Sequence, residues 1–414
     1  MRRLIFPLCG ILTFFLGRTP ASADPPRFDL KDGDRVVLVG STLVEREPEY
    51  GYLETRLTAR YPGRSITFRN LGWSGDTVYG VSRPRLKNDG AALGTPFDHL
   101  KAHVETLKPT VLVVGYGAVE SFDGEAGLPA FLQGLDGILA LAAPTKARVV
   151  ILGPNRQEDL GSPLPDPARH NADLARYRDA LRDVAAHRGD SFVDLFARLN
   201  DGAKTTPPHP LTDNGLHPNA YGYWRVAAAV EDDLALPPLR WAVRVEGAKV
   251  EAEGTTATDV ARTGDSIRFR LQDAVLPAPP APDGSPARAA DVRLLRASGL
   301  APGRYILKVD GRAVATADAK AWADGVAIGQ GPEFDRVEAL RAAIVAKNLL
   351  YFHRWRPQNE TYLFGFRKYE QGQNAREIPQ FDPLITAREA EIARLRVPEG
   401  HSYELTRAEA EAGR

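Results

Sequence analysis

The sequence predicts an α/β protein. Its first half should be a doubly wound parallel sheet with helices on both faces, followed by a small β-rich unit and a helical C-terminal segment. Three observations lead there. From Asp34 to about Leu236, short apolar runs alternate with longer amphipathic ones, the βαβ repeat of a parallel three-layer sheet with right-handed crossovers. Pro237-Pro238 breaks the last of those helices, and short strand-like stretches take over behind it. Near Pro332 the pattern turns helical again. These shifts divide the chain at 24–236, 237–331 and 332–414, after a leader at 1–23.

The leader has Arg2 and Arg3, an apolar run at 4–16, and Ala21-Ser22-Ala23. That is the layout of a secretory signal peptide, with cleavage expected before Asp24; a retained N-terminal anchor is the alternative. The run is short for a membrane span and no later run of about 20 apolar residues follows. A soluble, secreted or periplasmic product is the expectation. Cys9 and Met1, the only cysteine and methionine, both fall in the leader. A mature chain would then hold no thiol, which excludes disulfides, cysteine catalysis and cysteine metal ligation. The chain carries 53 basic and 53 acidic residues. Losing Arg2, Arg3 and Arg18 leaves 50 against 53, a balance that points to no polyanionic partner.

In the first part, strands are expected at residues 36–39, 66–69, 110–114, 149–152 and 192–193, and helices at about 50–60, 97–107, 128–141, 170–187 and 220–234. The first strand, Val36-Val37-Leu38-Val39, ends abruptly in Gly40-Ser41-Thr42. A hydroxyl at a strand tip is either a nucleophile or a cap on the next segment. In the second part, strands are expected at 241–250, 266–272, 291–295 and 304–309, with a turn at Asp310-Gly311 and a polyproline-like connector at 276–282. In the third, 337–348 reads as an amphipathic helix. Residues 350–367 are aromatic and cationic without a clean period, so they are expected to lie across another surface rather than form a free helix. A helix at about 386–395 precedes a polar tail.

If these strands are right, four loops meet at one edge of the first sheet. They are Gly40-Ser41-Thr42, the stretch from Asn70 through Gly72-Trp73-Ser74-Gly75 to Asp76-Thr77, Gly117-Ala118-Val119-Glu120, and the stretch from Thr212 through Asp213-Asn214 to His217-Pro218. A hydroxyl nucleophile, backbone amides for an oxyanion and a histidine base are the parts that acyl transfer needs.

With these blocks, residues 34–234 resemble an SGNH (GDSL-type) hydrolase, a family carrying Gly-Asp-Ser, a glycine, Gly-x-Asn-Asp and Asp-x-x-His in the corresponding places. The resemblance implies a flavodoxin-like three-layer α/β/α sandwich and ester hydrolysis, often of acylated sugars or lipids. Gly40 matches; Ser41 stands where the family has aspartate, and Thr42 where it has the nucleophilic serine. Threonine can attack, but its methyl group crowds the trajectory. Ser41, one residue early, should face the other side. Gly75 matches the glycine whose amide helps form the oxyanion hole, in the company of Asn70, Gly72 and Asp76. Val119 stands at the asparagine position and cannot donate to an oxyanion; losing such a donor typically costs about 10²- to 10³-fold in rate. Glu120, at the neighbouring aspartate position, is expected to be structural. His217-Pro218 matches, but Asn214 replaces the triad aspartate, a change that costs roughly 10⁴-fold in a serine protease. Asp213 would substitute if the loop is wound one residue differently, with Glu120 a weaker candidate.

The expected function is a slow SGNH-type esterase on an acylated carbohydrate or similar small ester. Thr42 would be nucleophile, His217 base, Asp213 or Asn214 the orienting group, and the Thr42 and Gly75 amides the oxyanion hole. The alternative is a catalytically silent carbohydrate or cell-envelope binding protein using the same cleft, with Trp73, Tyr79, Tyr116 and Trp224 as aromatic faces. From the aromatic-cationic segment, His353, Arg354, Arg356, Asn359 and Glu360 would supply a lid or substrate contacts, unless the segment only packs. The eight histidines form no H-E-x-x-H or H-x-H, and no phosphate loop follows Gly40. No metal, cofactor or nucleic-acid partner is expected, and the oligomeric state is left open.

Overall fold

A computed structural model of the chain describes residues 28–83, 94–199, 209–356, 360–363, 365–370 and 374–408. The leader, Cys9 and Asn359 lie outside them. The first half builds β1 (Arg35–Gly40), α1 (Thr42–Tyr50), α2 (Tyr52–Arg60), β2 (Thr67–Asn70), α3 (Pro96–Leu107), β3 (Val111–Gly115), α4 (Gly124–Ala140), β4 (Arg148–Leu152), α5 (Ala168–Arg188), β5 (Ser191–Val193), the short α6 (Leu195–Arg198) and α7 (Ala220–Asp233). The five strands are all parallel in the order β2-β1-β3-β4-β5. Strand alternation sends Val36 and Leu38 to one face with α2 and α7, and Val37 and Val39 to the other with α3, α4 and α5. The strand order reverses between β1 and β3, the crevice where open α/β sheets bind ligands.

Residues 42–50 form a helix where none was expected before about residue 50. It is short, carries Pro48 in its interior and ends at Gly51, so local propensity disfavours it. Glu120–Thr145, including α4, is long and apolar enough by length and composition to cross a membrane, with a mean hydropathy of 1.4. This corrects the expectation that no later apolar run of such length follows the leader, while the helix expected at about 128–141 is present; here Phe131, Leu135, Ile138 and Leu139 pack onto the sheet.

Beyond Pro238 come β6 (Trp241–Glu246), β7 (Lys249–Glu253), β8 (Thr255–Thr263), β9 (Ser266–Asp273), β10 (Arg293–Ser298), β11 (Arg304–Val309), β12 (Arg312–Asp318), α8 (Ala319–Asp324), β13 (Val326–Ile328), α9 (Pro332–Trp355), α10 (Glu360–Leu363), α11 (Phe381–Leu395) and β14 (Gly400–Arg407). Two sheets, β13-β10-β6-β7 and β12-β11-β14-β9-β8, close over one apolar core. The expected polar tail is therefore corrected to a strand: β14 is antiparallel to both β9 and β11, with Tyr403 and Leu405 turned into the core. The aromatic stretch is corrected too, since its first residues continue α9 as far as Trp355.

α9 docks on the first half through a buried ion pair. Lys347 Nζ lies 2.7 and 2.9 Å from the two Glu54 oxygens, and Asn348 Nδ2 donates to the same carboxylate at 3.0 Å. Burial pulls the Lys347 pKa down while Glu54 opposes it. Removing one member of a buried pair typically costs about 3–5 kcal/mol. Lys347→Met is expected to lower the unfolding free energy by that order and Lys347→Met with Glu54→Leu to recover most of it, as read by urea denaturation. Nearby Glu47 is pushed up to about 7, by burial first and then by the Glu54 carboxylate. A carboxyl raised in the folded state contributes stability that is complete below its ordinary value and is lost as pH rises through the folded one. Melting temperature should therefore fall between about pH 5 and pH 8, and Glu47→Gln should flatten that fall.

Candidate active site

β1 delivers the hydroxyls to the sheet edge. Ser41 N–H donates to Gly115 O at 3.1 Å. Ser41 is the N-cap of α1, yet its side chain makes no capping bond; its Oγ is buried without a partner. Thr42 is the first helical residue, so its N–H has no partner within the helix. Its Oγ1 accepts the Gly75 N–H at 3.3 Å.

The loop bearing Gly75 is fastened to β1 and α1. Leu71 N–H donates to Leu38 O at 2.8 Å and Trp73 N–H to Gly40 O at 3.0 Å. Asn70 spans the junction: Nδ2 donates to Val44 O at 2.7 Å, and Oδ1 accepts from Gly72 N–H at 2.8 Å. Only glycine fits at 72, because a Cβ there would stand 2.3 Å from Glu45 N. Gly75 has φ +69°, which favours glycine. Behind the loop, Asp76 pairs with buried Arg83 at 2.6 Å and accepts from Tyr116 Oη at 3.0 Å.

Glu120 holds the third loop to the second. Its oxygens accept Val78 N–H at 2.8 Å and Gly117 N–H at 2.9 Å, and burial raises its pKa despite these bonds. Those bonds occupy the carboxylate with loop amides rather than with His217. Val119 presents an aliphatic side chain to the cavity.

The fourth loop is gathered by Glu158, which accepts the amides of Leu211 and Thr212 and the Thr212 hydroxyl. Within it Asn214 faces the histidine: Nδ2 lies 3.3 Å from His217 Nδ1, while Oδ1 accepts the N–H groups of Leu216 at 3.1 Å and His217 at 3.0 Å. Those two donors fix the amide's orientation, since a flipped Asn214 would set NH₂ against N–H. Nδ2 must therefore donate to Nδ1, and the proton of neutral His217 resides on Nε2. The alternative winding in which Asp213 orients the ring is not the one observed. Asp213 turns to Arg46 at 3.0 Å, a residue on α1 one turn beyond Thr42.

Ser41, Thr42, Val119 and His217 share a cavity of about 90 Å³ with Tyr116. The reading of the sequence missed four neighbours. Asn155, in the loop after β4, lines the cavity and donates to Leu216 O at 3.0 Å; the strand-end rule would have found it. His170 and Phe122 stack at 4.0 Å along its wall, His170 being held by Ser121 Oγ at 2.9 Å and Gln157 Oε1 at 2.8 Å. Arg46 is the fourth, and neither it nor His170 carries a local signal.

The aromatic faces are not free. Trp73 is covered by Trp355 and Arg356, Tyr116 is buried, and buried Trp224 donates to Pro279 O at 2.9 Å. Tyr79, partly exposed, donates to Ala130 O. Of the C-terminal polar groups, Arg354 pairs with Asp382 at 2.8 Å and His353 lies against Phe352 and Phe381. Arg356 reaches the second loop, and the Asn359 and Glu360 side chains lie outside the described residues. Among the described residues no group of three or more His, Cys, Asp or Glu side chains could hold a metal ion.

The His217 pKa is lowered, by burial first and then by the Arg46 guanidinium, against a smaller opposing pull from Asp213. Removing that cation releases Asp213 as well, and both changes favour the imidazolium. Arg46→Met should therefore raise the His217 pKa, a shift measurable by NMR titration of the ring.

Residues 38–225 match the GDSL-like Lipase/Acylhydrolase family model. No curated protein matches the chain in sequence. Among solved structures the fold is similar to that of BT4096, a gut microbial diltiazem-metabolizing enzyme, with a TM-score of 0.74 and 17% identity over 92% of this chain and 99% of that one. The acetylxylan esterase Axe2 from Geobacillus stearothermophilus matches at a TM-score of 0.40 and 18% identity, over 50% of this chain and 96% of its own. The likeness to BT4096 extends the shared fold through the β-rich and C-terminal parts. Residues 38–225 thus form a GDSL-like lipase/acylhydrolase domain of the SGNH type.

Proposed function

We propose that the chain is a slow carboxylic ester hydrolase acting on a small acyl ester, with an acylated carbohydrate as the substrate class. The observation that carries this reading is Thr42 Oγ1, which stands at the N-terminus of α1, 3.3 Å from the Gly75 amide and in one cavity with His217. In the reaction His217 takes the Thr42 hydroxyl proton as Oγ1 bonds to the ester carbonyl carbon. The Thr42 and Gly75 N–H groups, aided by the positive end of α1, receive the oxyanion. Collapse breaks the bond to the alcohol oxygen, which leaves with the proton from His217, and water repeats the sequence on the acyl-threonine. Three features slow it: the Thr42 methyl group, Val119 in place of a donor, and Asn214, which places the His217 proton on the nitrogen that must be vacant. The last also favours a second reading, a catalytically silent protein that binds its ligand in the same cavity.

An ester panel on wild type, Thr42→Ala and His217→Ala tests the choice. The esterase reading expects activity above background in wild type only; equal background in all three leaves the binding reading. Asn214→Asp gives the carboxylate that stabilises the productive tautomer, so it should raise kcat by up to about 10⁴-fold. Val119→Asn added to it should gain about 10²- to 10³-fold more if the new amide reaches the oxyanion.

A further inference from the structure

The end of α9 reaches the loop that carries the Gly75 amide. Trp355 packs edge-on against Trp73 with ring centroids 5.9 Å apart. Arg356 lays its guanidinium 3.6 Å over the same Trp73 ring and forms an ion pair with Glu45. The Ser74 hydroxyl donates to that Glu45 carboxylate, and Glu45 lies on the first turn of α1, three residues after Thr42. Behind Trp73, the buried Arg83 guanidinium is 5.4 Å from that ring and 5.9 Å from Trp355, while it pairs with Asp76. Residues 73, 74 and 76 are thus each held by a side chain, and Gly75 lies between them with none of its own. Its φ of +69° and the open space around it, where an added Cβ would meet only Ser82 Oγ at 3.6 Å, leave its direction to those neighbours.

We propose that Arg356 is a positioning residue: by clamping Trp73 and Glu45 together it sets the Gly75 N–H toward the oxyanion formed at Thr42. The guanidinium joins the two elements whose spacing matters, α1 with the nucleophile and the loop with the donor. It holds one by a charge-assisted bond and the other by a cation–π contact, which together fix its plane. An oxyanion donor acts in the transition state, so a misaimed amide lowers kcat and leaves ground-state binding in place. The inference rests on the esterase reading for its kinetic consequence and on the loop geometry for its structural one.

The test compares the full chain with Arg356→Ala, Arg356→Lys and, as control, Arg354→Ala, which removes the neighbouring ion pair to Asp382. Steady-state kinetics on the best ester and hydrogen exchange of the 72–77 amides are read for each. Arg356→Ala should lower kcat about tenfold or more with KM within about twofold, and exchange should rise at 72–77. Arg356→Lys should restore part of both, and Arg354→Ala should change neither. Unchanged kcat and exchange in Arg356→Ala overturn the proposal, as does an equal loss in Arg354→Ala, which marks general loosening of α9. If wild type cleaves no ester, the esterase reading fails and exchange alone decides. A rise confined to 72–77 then sustains the clamp, and no rise overturns it. Should Arg356→Ala not fold, Glu45→Gln removes the same ion pair and is read in the same way.

Discussion

The close approach of Gly72 to the first turn of α1 is the constraint on which the site depends. Backbone meets backbone there, and any side chain would drive the loop off the helix. Because the contact exists, Asn70 can satisfy Val44 O and the Gly72 amide at once, and Trp73 N–H can reach the last carbonyl of β1. The loop then rises to bring Gly75 to Thr42. A strand end, a helix start and a glycine loop become one rigid unit held by backbone bonds, the kind of support a preorganised oxyanion site requires.

Around that unit the later parts of the chain act as a brace. Arg56 on α2 is buried between Glu231 of α7, at 2.7 Å, and Asp291 just before β10, at 3.0 Å. Lys347 of α9 enters between α2 and β2 to reach Glu54 and, at 3.3 Å, Phe68 O. Buried pairs of this kind add little net stability relative to apolar packing, but they tolerate few alternative arrangements. They therefore fix how the helical arm and the β-rich sheets lie on the hydrolase domain more than they strengthen it. The same arm ends in Trp355 and Arg356 against Trp73, so the attachment is continuous with the rim of the site.

Much of this was legible in the sequence where the signal is local. The five parallel strands are apolar runs with clear ends, and the four loops that follow from them do meet at one edge. What escaped depended on distant partners. β14 has only Tyr403 and Leu405 as inward residues and pairs with strands more than 90 residues away, so alone it resembles a polar tail. The last turns of α9 showed no period because the helix changes neighbours along its length: Leu340 and Ile344 face one cluster, Lys347 and Asn348 meet Glu54, and Tyr351 and Trp355 join the core under α3. α1 was hidden by Pro48 and by its brevity, although it carries Thr42, Glu45 and Arg46. At the site the substituted positions could be named from their spacing, but not that Asp213 would turn to Arg46.

The Asn214 amide shows how one atom changes what the same geometry can do. An aspartate at that place would accept both backbone amides and the His217 Nδ1–H, leaving Nε2 bare to receive the Thr42 proton. Asparagine accepts the same two amides, but its NH₂ then donates to Nδ1, and Nε2 carries the hydrogen. In that state His217 offers a donor, beside the Thr42 N–H, which has no partner within α1, and the unpartnered Ser41 hydroxyl. A cavity rich in donors complements carbonyl and carboxylate oxygens, the groups of an ester and of the acid it yields, so the proposed binding reading does not depend on proton abstraction. The proposed reaction would require the Nδ1–H tautomer of His217, whose proton would face the Asn214 NH₂ across 3.3 Å. In the proposed reaction that donor-against-donor contact hinders His217 as the base, in addition to the crowding by the Thr42 methyl group.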